Sequence, residues 1–208
     1  MDNSAVPQKE QLEKFFADIE ATNQVFMEAD LPTKRVMLAK DVITQLDIKR
    51  MTAYSTYFTP LAIETVDPSY YHRTDWTFFD RNLVESSRDM KDAMRSMPMC
   101  QVCGIGSLFV AAVQRLDKMR VADYSHYRAT HTSYLRKHEL FSDDESDHIE
   151  AFFENYNFST EHKAYRTNGW DCATPTDRLR RIMETIVETE GKEKLTVALF
   201  TAKKLEPK

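Results

Sequence analysis

The chain has 208 residues, of which 42% are hydrophobic and 29% charged, and its formal net charge is -5 at pH 7. This composition is typical of a single globular domain, 1–208, and excludes a disordered, collagenous or membrane-spanning chain. The negative charge excludes a global positive field that would hold a nucleic-acid backbone or a membrane surface. The first ten residues lack a basic-then-apolar signal, so we expect an intracellular, cytoplasmic protein.

Glycine is scarce, with only four residues in the chain. Few positions can therefore adopt the positive φ angles that many-stranded sheets need in their turns. The sequence predicts a mainly α fold, that is, α+β with minor β, of six or seven helices and two or three short strands. Residues 67–95 are predicted to be a helical segment inserted into this domain.

The first half of the chain predicts three helices and one or two strands. Apolar residues recur with a helical period over 8–28 and over 33–50, where Thr33 is the predicted N-cap. β-Favouring residues predict short strands within 52–66. A helix is predicted over 82–97.

The second half begins with a predicted loop, 99–106, which leads into a strongly apolar helix. Because that helix is strongly apolar, we expect it at the centre of the core. A further helix is predicted over 121–139. At the other end, the alternating apolar residues of 195–201 predict a closing strand.

Two later helices carry clear start signals. Ser142 and Glu145 have the spacing of a capping box. Thr174 is the predicted N-cap of the second of these helices, with Asp177 three residues further on and Gly191 as the terminating residue.

Cys100 and Cys103 form a Cys-x-x-Cys pair directly before a helix start. Two thiols at this spacing can supply half of a tetrahedral zinc site, for which Cys172 and His162 are the candidate second half. Alternatively, backbone amides at the helix start could stabilise a thiolate nucleophile or a redox pair. The interpretation we favour is that both cysteines are small core residues.

Residues 141–161 hold seven carboxylates and no lysine or arginine. Carboxylates in a first helical turn stabilise the helix start, and an acidic surface of this kind can also steer a basic partner. Exposed aromatic residues are the other common anchors of an interface. The candidate partner-binding residues are Asp143, Asp144, Asp147, Trp76 and Tyr71.

The preceding segment, 121–139, interleaves basic residues with tyrosines, a composition that can stack on and pair with single-stranded nucleic acid. The candidate residues for this alternative are Arg128, Arg136 and Lys137. We favour a surface helix whose tyrosines are half buried and whose cations face the acidic neighbour. The arginines of the later helix are likewise predicted to be solvated: Arg178, Arg180 and Arg181.

Four segments taken together resemble small uncharacterised proteins of tailed bacteriophages and some bacteria, in which a Cys-x-x-Cys precedes a helix of small residues. In chain order they are AKDVITQL (39–46), CQVCGIGSLF (100–109), FSDDESDHIEAFFE (141–154) and TPTDRLRRIMETI (174–186). The resemblance covers about half of the chain. It implies a phage or bacterial setting, with the host cytoplasm as the compartment, and no assigned activity, cofactor or catalytic residue.

The function we expect is that of a non-enzymatic accessory protein that binds a host protein, as an inhibitor of a host enzyme or defence component. The alternative is a zinc- or cysteine-dependent enzyme centred on Cys100 and Cys103. The third hypothesis is single-stranded nucleic-acid binding through 121–139. No cofactor other than zinc and no membrane association are expected. The sequence leaves open whether the chain forms a homo-oligomer.

Overall fold

The computed structural model describes residues 9–53, 59–61, 89–95, 99–116, 119, 128–154 and 174–202. Within these ranges the fold is mainly helical, with eight helices and one small sheet, which confirms the predicted fold class. The helices are α1 (Lys9–Glu28), α2 (Leu31–Asp47), α3 (Met90–Arg95), α4 (Gly104–Leu116), α5 (Arg128–Lys137), α6 (Asp143–Glu154), α7 (Pro175–Glu188) and α8 (Val197–Ala202). The strands are β1 (Met51–Ala53), β2 (Thr59–Leu61) and β3 (Met99–Val102). None of the described helices is both long and apolar enough to cross a membrane.

The central element is α4, as its composition predicted. Every residue from Gly104 to Arg115 is buried, and the helix packs against α1, α2, α3, α5 and α6. Gly104 permits a close approach of α6, because a Cβ at this position would lie 3.1 Å from Ile149 and from Phe153. Helices from both halves of the chain therefore pack around this one apolar helix.

The first two helices are formed as predicted, but both ends of α2 differ from the prediction. Helix α1 buries Phe15, Ile19 and Phe26, which share the predicted face. The N-cap of α2 is Asp30 and not Thr33, because the Asp30 carboxylate accepts the backbone N–H of Thr33 at 3.0 Å. The N-cap therefore lies three residues earlier than predicted, and the helix ends at Asp47 and not near residue 50.

The sheet has the strand order β1-β3-β2, with β1 parallel and β2 antiparallel to β3. The predicted loop at 99–106 is therefore wrong, because 99–102 form the central strand β3 and 104–106 already belong to α4. Met51 pairs with Cys100, whose N–H donates to the carbonyl of Arg50 at 2.9 Å. Both strands found at 51–61 agree with the prediction for this region, and the remainder of 54–66 lies outside the described residues.

The predicted closing strand at 195–201 is wrong, because these residues lead into and form α8. Thr196 caps the helix, since its hydroxyl accepts the N–H of Leu199 at 3.1 Å. Val197 and Phe200, three residues apart, are the buried side chains of this short helix. The apolar residues thus face the core at a helical spacing and not at the alternating spacing of a strand.

The predicted capping box at Ser142 and the predicted N-cap at Thr174 are both formed. The hydroxyl of Ser142 accepts the N–H of Glu145 at 3.2 Å, and the Glu145 carboxylate accepts the N–H of Ser142 at 3.0 Å. Thr174 and Asp177 make the same reciprocal pair at the start of α7. These local signals fix the start of each helix.

Candidate functional site

The Cys-x-x-Cys pair lies inside the core. Cys100 is on β3, Cys103 directly precedes α4, and both thiols are free and buried. Burial raises the pKa of the Cys100 thiol, against the opposing effect of the Arg50 charge. Burial and the nearby Glu150 carboxylate raise the pKa of the Cys103 thiol well above its ordinary value. Neither thiol is therefore suited to act as a thiolate at neutral pH.

Glu150 explains why the start of α4 does not activate Cys103. The N–H of Gly106 does donate to the Cys103 sulfur at 3.2 Å. However, the buried Glu150 carboxylate accepts the N–H of Ile105 at 2.7 Å and so occupies the positive end of the helix. Sequence reasoning missed this residue, although Glu150 follows Ile149 and precedes Phe153 by three, a spacing that places it near the apolar stripe of α6.

The proposed zinc site is only half described. Cys172 and His162 lie outside the described residues, and no group of three or more histidine, cysteine, aspartate or glutamate side chains within the described part of the chain is arranged to hold a metal ion. Cys103 instead has Glu150 as its neighbour.

We expect Cys100 and Cys103 to resist alkylation in the folded protein, because both are buried and their pKa values are raised. Labelling by iodoacetamide should be at least about 100-fold slower than in the unfolded chain. Peptide mapping by mass spectrometry separates these two cysteines from Cys172. Rapid labelling of either one in the folded state would restore the thiol-enzyme hypothesis.

Three carboxylates of the acidic segment lie on the solvent-facing side of α6. Asp143, Asp144 and Asp147 are all exposed on this helix. Asp143 pairs with Arg136 at 2.5 Å, and Asp144 with Lys194 at 2.9 Å. The hydrogen bond and charge of Lys194 lower the pKa of Asp144, so this carboxylate is ionised at neutral pH. The aromatic candidates Tyr71 and Trp76 lie outside the described residues.

Glu145 belongs to the core and not to the exposed acidic face. Its side chain is 6% exposed and accepts from Arg35 at 2.8 Å, from Ser142, and more distantly from the N–H of Leu195. Burial acts to raise the pKa of Glu145, but these hydrogen bonds and the Arg35 charge together lower it. Glu145 therefore ties α2, α6 and the chain before α8 together.

Replacing Glu145 by glutamine should lower the free energy of unfolding at neutral pH by about 1.5–3 kcal/mol, because charge-assisted hydrogen bonds are lost. Since the pKa of Glu145 is lowered in the folded state, its stabilisation is present above the ordinary glutamate pKa and disappears as the pH falls through the folded value. Urea unfolding at several pH values should show the deficit shrinking in acid. Glu13→Gln, at an exposed position, is the control. If the loss of unfolding free energy in Glu145→Gln did not depend on pH, the ionised Glu145 carboxylate would not be the stabilising group.

The nucleic-acid alternative receives limited support from α5. Arg136 and Lys137 are exposed, but Arg136 pairs with Asp143, and the side chain of Arg128 lies outside the described residues. Tyr134 is buried, with its ring 5.3 Å from that of Phe109 in an edge-to-face contact. Tyr134 is therefore not free to stack on a base, and it is more deeply buried than predicted.

Two arginines of α7 are buried, so the predicted solvated face is wrong for them. Arg178 donates to the carbonyl of Phe153 at 2.5 Å, and Arg181 to the carbonyl of Phe200 at 3.3 Å. These carbonyls lie in the last turns of α6 and α8, where a cation is favoured by the helix dipole. Only Arg180, paired with Asp47 at 2.5 Å, reaches the surface as predicted.

No family model, no curated protein and no solved structure matches the chain.

Proposed function

We propose that this chain is a non-catalytic protein that acts by binding a partner protein, and that the exposed face of α6 makes the contact. The observation that supports the proposal is the placement of Asp143, Asp144 and Asp147 together on the solvent side of one helix. The opposite side of that helix is fixed in the core by Ile149 and Phe153. The carboxylates are thus presented on a rigid element, which favours specific recognition.

The partner surface that fits this face is basic. Asp143 and Asp144 already pair with cations of the chain itself, but exposed pairs contribute little and can exchange for the cations of a partner. The raised pKa values of Cys100 and Cys103 give a cysteine-dependent enzyme less support. Binding is therefore the function that we favour.

We further propose that the partner is a bacterial host protein, such as an enzyme or a defence component, and that the chain acts in the host cytoplasm. This part rests on the resemblance of residues 39–46, 100–109, 141–154 and 174–186 to tailed-phage proteins.

The test is capture from a bacterial lysate with three forms of the tagged chain. They are the wild type, a variant that combines Asp143→Asn, Asp144→Asn and Asp147→Asn, and a matched control that combines Glu10→Gln, Glu13→Gln and Asp18→Asn on the exposed side of α1. We expect one protein in stoichiometric amount with the wild type and the control, and about tenfold less with the α6 variant. Equal recovery by all three forms would exclude α6 as the contact.

A further inference from the structure

The segment that joins α7 to α8 lies against the start of α6. Gly191 and Leu195 are both buried, whereas residues 192–194 between them are exposed. Gly191 packs on the backbone of Pro32. The N–H of Leu195 points at the Glu145 carboxylate, with 3.4 Å between nitrogen and oxygen. The exposed part of this segment is therefore held on the folded core at both of its ends.

This anchoring places the side chain of Lys194 on the exposed face of α6. Asp144 directly precedes Glu145, and Lys194 directly precedes Leu195. The ammonium group of Lys194 donates to Asp144 Oδ2 at 2.9 Å. A surface lysine loses conformational freedom when it pairs, but here the backbone of Lys194 is already fixed by its buried neighbour, so less freedom is lost.

Lys194 stands where an external cation would have to bind Asp144. Its ammonium group occupies one carboxylate oxygen, and Nε2 of His148 lies 3.8 Å from the other. The side chains of Asp144 and Lys194 are 59% and 68% exposed, so the pair can open to solvent. A partner that brings a lysine or an arginine to Asp144 must first displace this ammonium group, and that displacement weakens its binding.

We propose that Lys194 is an autoinhibitory group of the α6 face, which holds Asp144 in the free protein and leaves it when a basic partner binds. This inference rests on the proposed function of that face. It sets opposite signs for two changes of charge. Neutralising Asp144 weakens the binding of a basic ligand, whereas neutralising Lys194 strengthens it.

The first measurement tests the contact without any partner. The carboxyl group of Asp144 is titrated by NMR in the wild type, in Lys194→Gln and in Lys192→Gln. Lys192 is 64% exposed and pairs with Glu190, so the two variants remove the same charge from neighbouring positions. Because the hydrogen bond and charge of Lys194 lower the pKa of Asp144, Lys194→Gln should raise that pKa towards the ordinary aspartate value and Lys192→Gln should not. An Asp144 pKa that is unchanged in Lys194→Gln would overturn the proposal.

The second measurement is the affinity of the full chain for tetralysine, determined by calorimetry at low salt. Lys194→Gln should bind this peptide about two- to fivefold more tightly than Lys192→Gln, as expected for the loss of one competing exposed pair. In the Asp144→Asn background the two lysine variants should bind equally, because the competition takes place at that carboxylate.

The two ways of failing are distinct. Equal affinities of Lys194→Gln and Lys192→Gln for tetralysine would overturn the autoinhibitory role and leave the α6 face as a contact for cations. If the combined Asp143→Asn, Asp144→Asn and Asp147→Asn variant bound tetralysine as well as the wild type, or if no form bound it, the proposed function would fail and this inference with it.

Discussion

Replacing Asp41 by alanine should lower the free energy of unfolding by about 3–5 kcal/mol, because it leaves a buried cation without its counterion. Arg115 donates through Nε at 2.5 Å and through Nη2 at 2.9 Å to the two oxygens of Asp41. The side chains are 4% and 11% exposed, so water cannot replace the lost carboxylate. The pair joins α2 to the central α4, and Thr22 of α1 accepts a third bond at 3.3 Å.

Asp47→Ala is the matched control on the same helix. Asp47 is 57% exposed and pairs with Arg180 at the surface, so its loss should cost no more than about 1 kcal/mol. Urea unfolding followed by circular dichroism measures both variants. A cost for Asp41→Ala that is no greater than that of Asp47→Ala would show that the buried pair does not hold α2 on α4.

Replacing Gly191 by alanine should lower the free energy of unfolding by about 2–5 kcal/mol, the combined effect of a left-handed backbone and of overpacking. Gly191 has φ +67°, and a Cβ there would lie 2.3 Å from the backbone carbonyl oxygen of Pro32. Its N–H donates to the carbonyl of Ile186 at 2.8 Å, which closes the end of α7. The turn after α7 is therefore packed directly on the start of α2.

Glu190→Gly is the control for this turn. Glu190 also has a positive φ, 53°, so glycine there relieves strain and should leave the stability unchanged or raise it. Thermal unfolding of both variants gives the comparison. Gly191→Ala should lower the stability, whereas Glu190→Gly should leave it unchanged or raise it. A Gly191→Ala protein as stable as the wild type would contradict the tight contact with Pro32.

The helices were predictable from sequence where local start signals agree with the apolar period. Ser142 with Glu145, and Thr174 with Asp177, place their polar atoms within a single turn, so no distant residue decides the outcome. The strand β3 could not be found in this way. It exists because it pairs with Met51–Ala53, nearly fifty positions earlier, and such a partner leaves no local pattern.

Residues 195–201 show the opposite error, because a strand was predicted where the structure has a helix. The residues of 195–201 favour a strand by composition, yet Val197 and Phe200 reach the core only at a helical spacing. In so short a segment, strand propensity contributes less to the local structure than the packing of two apolar side chains in the core.

The buried charges were the least predictable part. Arg178 and Arg181 were expected in solvent because arginine usually lies there, but carbonyls at the ends of α6 and α8 accept their N–H groups. The acceptors come from other helices, so they enter only with the tertiary fold. The same holds for Arg50 and Arg95, whose shared contact with Phe16 joins three separate elements.

If the chain binds its partner through charged contacts of α6, as proposed, capture of the partner must depend on the salt concentration. The screening length falls from about 30 Å at 0.01 M salt to about 3 Å at 1 M. We predict that the wild type retains a stoichiometric protein partner at low salt and releases it progressively as the salt concentration rises. Retention that is unchanged across this range would show that charged contacts of α6 do not hold the partner.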